Sequence, residues 1–388
     1  MKLSKIGLFA SGAVAAGALA FAAPASALTI NLNDIGGVTG SPAELGFRAA
    51  AHYWESVFTN DATVNLNVGF SSLGANILGG TSSNLLQYVS VGSYYNALAA
   101  TGTSALDAQA VANLSPLNSN GGLDVIVPGY LDGGAMTGID DTTTRIAPDN
   151  AINETMAITT ANARALGVDL GSTVDATVQF SSDFAFDFDP NDGISAGTYD
   201  FIGVAIHEIG HALGFVSGAD DFDYSDGFTG DVDSYWWGYA LDMFRYSDNG
   251  GNPMLDWTPG TDSYFSIDGG QTALMGGYFS TGTNFGDGWQ ASHWKEPSTP
   301  CQDFLGILNP YICNGIGDSV TSLDLALFDA IGWNVNFDVL ANPNYSYSTA
   351  QARAAVPEPA TWALMIMGFG LLGSALRRRQ PALVRIAR

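Results

Sequence analysis

Residues 201–215, FIGVAIHEIGHALGF, admit few folds. At 100° per residue, Ile202, Ile206, Ile209 and Leu213 form one narrow apolar stripe, and His207 and His211 project well away from it. The stripe belongs in a core and the histidines on an open wall. Residues four apart share a helical face, so the two imidazoles can serve one metal ion. Glu208 beside them is placed to act as a general base on a metal-bound water. Gly214 suits a left-handed helix stop that turns the chain away after the second histidine.

The chain has only four histidines (His52, His207, His211, His293) and six glutamates in 388 residues. An incidental HExxH on a correctly phased helix is therefore the weaker account. Catalytic zinc takes three protein ligands and leaves one position for water. In the compact spacing HExxHxxGxxH, Gly214 fits, but the last position is Ser217, a poor zinc ligand. Asp220 or Asp221 could complete the site from just downstream. The other candidate is His293, 82 residues after His211, in a polar Ser-His-Trp loop. Imidazole suits zinc, which favours His293. His52, among Ala49, Ala50, Ala51 and Trp54, reads as a packing histidine. The expected metal ligands are His207, His211 and His293, with Glu208 catalytic.

Both ends carry export features. Met1–Ala27 has Lys2 and Lys5, an apolar run and Ala25-Ser-Ala27, the pattern of a secretory signal peptide with its cleavage site. At the other end, Val356-Pro-Glu-Pro359 precedes the apolar Ala360–Leu376 and then Arg377, Arg378 and Arg379. This tail, 356–380, resembles a PEP-CTERM sorting signal of Gram-negative bacteria. The resemblance implies recognition and removal by an exosortase during export to the cell surface. With the ends set aside, residues 28–356 hold six basic and 37 acidic residues, a net charge of −31. So acidic a chain is not expected to seek nucleic acid or anionic lipid, and membrane contact is confined to the removable ends.

Asp outnumbers Glu 32 to 6 and falls in Gly- and Asn-rich loops, which suits an extracellular protein. Calcium is a second, weaker cofactor candidate. Asp187-Phe-Asp189-Pro-Asn191-Asp192-Gly193 opens like a calcium loop, but its glycine is one place late and Thr198 stands at the twelfth position. A polar turn is the expected form there. Cys301 and Cys313 are expected to pair in an exported chain.

Helices are expected at 41–58 (Ser41 as N-cap, Pro42 first), in parts of 83–113 with a break at Gly102, at 150–166, from Trp236 to Tyr246, and at 323–331. Strands are expected at 63–70, 122–127 and 176–188. There is no internal repeat, so 28–352 reads as one catalytic unit whose halves meet near 216.

His207-Glu-Ile-Gly-His211-Ala-Leu-Gly-Phe215, then Ala291-Ser-His293-Trp294-Lys, then Leu305-Gly-Ile-Leu308-Asn-Pro310 resemble, in that order, the leishmanolysin-type metzincin layout. They are also similar to a group of predicted bacterial metalloproteases with PEP-CTERM tails. The resemblance spans roughly 178–333. It implies an α+β zincin fold, His293 as third ligand, and a cleft-bordering strand just ahead of the helix that pairs with an extended peptide. It also implies a methionine turn beneath the metal. Leu308 stands at that point, with a volume close enough to fill an apolar floor. The resulting expectation is a surface-directed zinc endopeptidase. An inactive zincin-fold surface or matrix protein, and a zinc hydrolase of non-peptide substrates, remain as alternatives.

Overall fold

A computed structural model describes residues 27–74, 78–225, 227–234 and 238–356. The expected signal peptide up to Ser26, the tail beyond Val356, and Trp236-Trp237 lie outside the described residues.

The chain begins with a parallel strand–helix–strand unit of β1 (Thr29–Gly36), α1 (Pro42–Val57) and β2 (Thr63–Ser71). Proline at the first helical position gives up an N–H that has no intrahelical partner anyway. Along β2, Val64, Leu66 and Val68 alternate inward, as a half-buried strand requires. Next come β3 (Gly79–Ser83), β4 (Leu85–Ser90), α2 (Val91–Thr101) and α3 (Ala105–Ala112). Then follow β5 (Val125–Gly129), β6 (Asp140–Ile146), α4 (Ala151–Glu154), β7 (Thr155–Thr159), α5 (Thr160–Ala165) and β8 (Ala176–Ser181). The first sheet has the order β1-β2-β8-β3, with β3 antiparallel to β8 at its edge.

Two short strands, β9 (Phe186–Asp187) and β10 (Tyr199–Asp200), lead into α6 (Phe201–Leu213). The helix packs in the core. Rings of Phe47, Phe180 and Phe201 meet at centroid separations of 4.9–5.2 Å, joining α1, β8 and the start of α6. A Cβ on Gly46 would lie 2.3 Å from the Phe201 ring, so only glycine lets the two helices approach this closely. Two buried indoles satisfy carbonyls of α6: Trp54 donates to Ile206 at 3.2 Å and Trp333 to Leu213 at 2.8 Å. Gly214, at φ +126°, ends the helix beside Ile331.

After α7 (Gly218–Asp223), a second sheet forms from β11 (Arg245–Asn249), β12 (Asn252–Asp256) and β13 (Tyr264–Phe265). Its order is β13-β11-β12-β5-β6. Two of its strands, β5 and β6, thus come from residues before α6, so this sheet joins parts of the chain on either side of the helix. The pairing strands β14 (Ser319–Thr321) and β15 (Ser346–Ser348) bracket α8 (Ser322–Ala330), and α9 (Thr349–Ala355) follows. The architecture is α+β.

Three local expectations are corrected. Residues 150–166 are not one helix: Met156, Ala157 and Ile158 are all buried, and β7 pairs antiparallel with β4. Thr159 then caps a new helix by accepting the Asn162 N–H. Between Trp236 and Tyr246 the described residues hold only one 3₁₀ turn, Leu241–Phe244. Arg245 and Tyr246 are drawn into β11, where sheet pairing outweighs helical preference. The expected strand at 176–188 stops at Ser181, and β8 is an interior strand; β3 takes the edge beside α6.

Candidate metal centre

Asp200 caps α6 by accepting the Gly203 N–H at 3.0 Å, and the helix then presents His207 and His211 one turn apart. The long segment after α7 folds back and delivers His293 to the same point. The three Nε2 atoms lie 3.0 Å (His207 to His211), 3.2 Å (His211 to His293) and 3.2 Å (His207 to His293) apart. Each Nδ1 faces a backbone carbonyl: His207 that of Ile307 at 2.8 Å, His211 that of Phe215 at 2.7 Å, and His293 that of Gln290 at 3.3 Å. Those bonds place the ring proton on Nδ1 and leave three Nε2 lone pairs converging.

Burial holds all three imidazoles neutral. It pushes His207 and His211 down to about 4, and His293 well below the ordinary range with the neighbouring imidazoles adding to the effect. Three neutral acceptors in mutual contact have no hydrogen to share and repel one another. A cation at their focus removes that conflict. Three nitrogens bound to one tetrahedral zinc at 2.0–2.1 Å would be about 3.3 Å apart, close to the spacing found. The three histidines are a set that could hold a metal ion.

Glu208 lies beside them, its Oε2 accepting the Thr81 hydroxyl at 2.8 Å; the same hydroxyl also lies 2.9 Å from the Glu208 carbonyl. Burial raises the Glu208 carboxyl, and His211 and Thr81 oppose the rise. Thr81 is on β3, so the edge strand itself steadies this group. Nothing local in the sequence singles out Thr81.

The loop carrying His293 is held by buried charge. Asp220 accepts the N–H groups of Ala291 at 2.6 Å and Ser292 at 3.0 Å, and the Ser292 hydroxyl at 2.5 Å. Buried Arg245 donates to the carbonyls of Ala291 (3.3 Å) and Ser280 (3.2 Å). Asp220 is therefore an anchor for the loop and stands apart from the histidine set. Asp221 lines a cavity of about 390 Å³ next to the site, where burial pushes it up to about 7. Ser217 caps α7 and donates to Asp242 at 2.6 Å, so it takes no part. His52 is partly exposed on α1, 3.8 Å from Glu55 and away from the other three.

Asp324 joins the remaining pieces. It accepts the Trp294 indole N–H at 2.8 Å and the Ile307 N–H at 2.9 Å, and so fixes the segment whose carbonyl orients His207. Thr321-x-x-Asp324 is a capping box, a signal readable in the sequence. Leu308 is fully buried, with its Cδ atoms 3.3 Å from where a Gly210 Cβ would sit, directly against α6. Cys301 and Cys313 are disulfide-bonded and close the loop around this segment. At the possible calcium loop, Asp187 accepts the Asp189 and Ser195 N–H groups and Asp189 accepts that of Asn191. The segment forms a polar turn in which Asp187 and Asp189 accept from its own backbone.

Residues 355–379 match the PEP-CTERM protein-sorting motif. No curated protein and no solved structure matches the chain. Among the described residues no helix is long and apolar enough to cross a membrane. The motif is a sorting signal recognised by an exosortase, and it marks this chain as an exported bacterial protein, secreted or placed at the surface of a Gram-negative cell.

Proposed function

We propose that this exported protein is a zinc endopeptidase of zincin, metzincin-like fold. The observation that carries the reading is the convergence of three neutral Nε2 atoms, each fixed by a backbone carbonyl at Nδ1, beside a buried glutamate. His207, His211 and His293 would hold the ion, which when bound supplies Lewis acidity and makes water a nucleophile near neutral pH. Glu208, steadied by Thr81, takes a proton from the attacking water and returns it to the leaving amine. The free edge of β3 lies alongside, where an extended peptide can add as a further strand. An acidic, loop-rich, disulfide-bonded chain sent outside the cell fits such a role.

The test is zinc content and cleavage of denatured casein, measured together. The parent should carry one zinc per chain and cut casein. Glu208→Gln should keep its zinc and lose turnover by about 100- to 10,000-fold. A zinc-loaded parent inactive on every peptide, or a Glu208→Gln protein cutting at the parent rate, overturns the assignment.

A further inference from the structure

A cavity of about 460 Å³ opens on the Gly203 side of the metal centre and shares His207, Glu208 and His293 with it. Its walls include Phe184, Tyr199, Val204 and Ile312, and Asp318 also lines it. A Cβ on Gly203 would lie 3.1 Å from Asp318 Oδ2. Gly203 precedes His207 by four residues, so the carboxylate sits about one helical turn, roughly 5.4 Å, along α6 on the same face. The neighbouring acids are occupied: Asp200 accepts the Gly203 and Asp318 N–H groups and the Thr349 hydroxyl, and Asp324 holds the Ile307 segment. The Asp318 carboxylate accepts no hydrogen bond among the described residues. Burial, with Asp200 and Asp324 nearby, pushes its carboxyl up to about 8. In the empty pocket the acid is held neutral; a cation entering beside it favours the ionised form and pairs with it, because no other group of the protein competes for its oxygens.

Strand direction says which residue would enter. β3 runs from the side lined by Leu78 and Gly79 toward the second cavity, lined by Ser83 and Leu85. A peptide adding antiparallel to β3, the more stable pairing, runs the opposite way. Residues after the cleaved bond then face the Asp318 cavity.

Resting on the peptidase reading, we propose that Asp318 makes this cavity a specificity pocket for lysine or arginine immediately after the scissile bond. The methylene stem lies against the aromatic and aliphatic walls and the cationic head pairs with Asp318. The net charge of −31 over residues 28–356 favours approach of such cationic segments.

Two measurements decide it. Cleavage sites in denatured casein are mapped by mass spectrometry for the zinc-loaded parent, Asp318→Asn and Asp318→Lys. Lysine or arginine should be favoured after the cut by about 10-fold or more over leucine. That preference should fall to within about threefold in Asp318→Asn and turn toward glutamate and aspartate in Asp318→Lys. Separately, binding of n-butylguanidine to zinc-loaded Glu208→Gln protein is followed by calorimetry and should vanish when Asp318→Asn is added. Cleavage with no basic preference after the bond, a preference before it, or one that survives Asp318→Asn overturns the pocket and leaves the peptidase standing. If no peptide is cut but butylguanidine binds through Asp318, the peptidase reading falls and takes the placement after a scissile bond with it, leaving only a cation-binding cavity. No cleavage and no Asp318-dependent binding overturns both.

Discussion

Asp220→Ala should weaken metal binding without removing a ligand. The carboxylate is buried and accepts three hydrogen bonds from Ala291 and Ser292, the two residues before His293. A hydrogen bond to a charged group contributes roughly 1.5–3 kcal/mol, so three set a ceiling of about 9 kcal/mol. They are not additive, and water can enter the gap, so a destabilisation of about 3–5 kcal/mol is the working figure. Arg245 keeps Asp242 and Asp256 as neighbouring charges, which limits the damage on that side. With its anchor lost, His293 samples orientations that miss the focus, and zinc affinity should fall about 10- to 100-fold, the scale of losing support behind a ligand. Asp220→Asn keeps one acceptor oxygen and should fall between parent and alanine. The assay is competition with a chromophoric chelator on folded protein, paired with urea unfolding. As a rival ligand displaced by His293, Asp220 would leave affinity unchanged when removed; as the anchor of the His293 loop it does not. If Asp220→Ala holds zinc within about twofold of the parent while urea stability drops by several kcal/mol, the carboxylate supports the fold and not the metal loop.

Removing the His293 imidazole should cost zinc affinity about 10- to 1,000-fold or more, while His52→Ala leaves it unchanged; equal affinities in the same competition assay would place the third ligand elsewhere. Thr81→Val deletes the hydroxyl bonded to Glu208 and should lower turnover about tenfold at unchanged zinc content, with Thr81→Ser restoring most of the loss; unaltered kinetics in the valine variant would mean Thr81 does not steady the base. Burial and the nearby Asp107 push Asp329, remote from the metal centre, up to about 7, above its unfolded value. A raised folded value means the native state holds the extra proton, so this contribution is complete below about pH 4 and is lost as pH rises through about 7. Asp329→Asn should therefore be more stable than the parent at pH 8 and show a flatter profile between pH 5 and 8 by urea unfolding; a parallel profile would mean that Asp329 does not titrate there.

Much of the candidate site is local, and local signals survive in sequence. Helical phase alone sets His207 and His211 one turn apart and buries Ile202, Ile206, Ile209 and Leu213, as found. The same holds for α1 with Pro42 at its start, for the break after Thr101, and for the Cys301–Cys313 pair. Sorting information is likewise written in residue order: Pro-Glu-Pro, apolar span and arginines fall within the matched motif.

What tertiary structure alone decided depends on contacts between residues far apart in the chain. β7 reads as helix because Ala, Met and Ile tolerate either state, and only pairing with β4 selects the strand. β3, a Gly-Thr-Ser segment with little apolar pattern, becomes the edge strand because β8 offers it a partner, and that brings Thr81 to Glu208 across 127 residues. Chemical type could nominate His293, but the proximity of its Nε2 to those of His207 and His211 follows from Asp220 and Arg245 clamping its loop. Asp318 gives no signal of its own in sequence. Its open carboxylate exists because Gly203, 115 residues away, has no side chain to cover it.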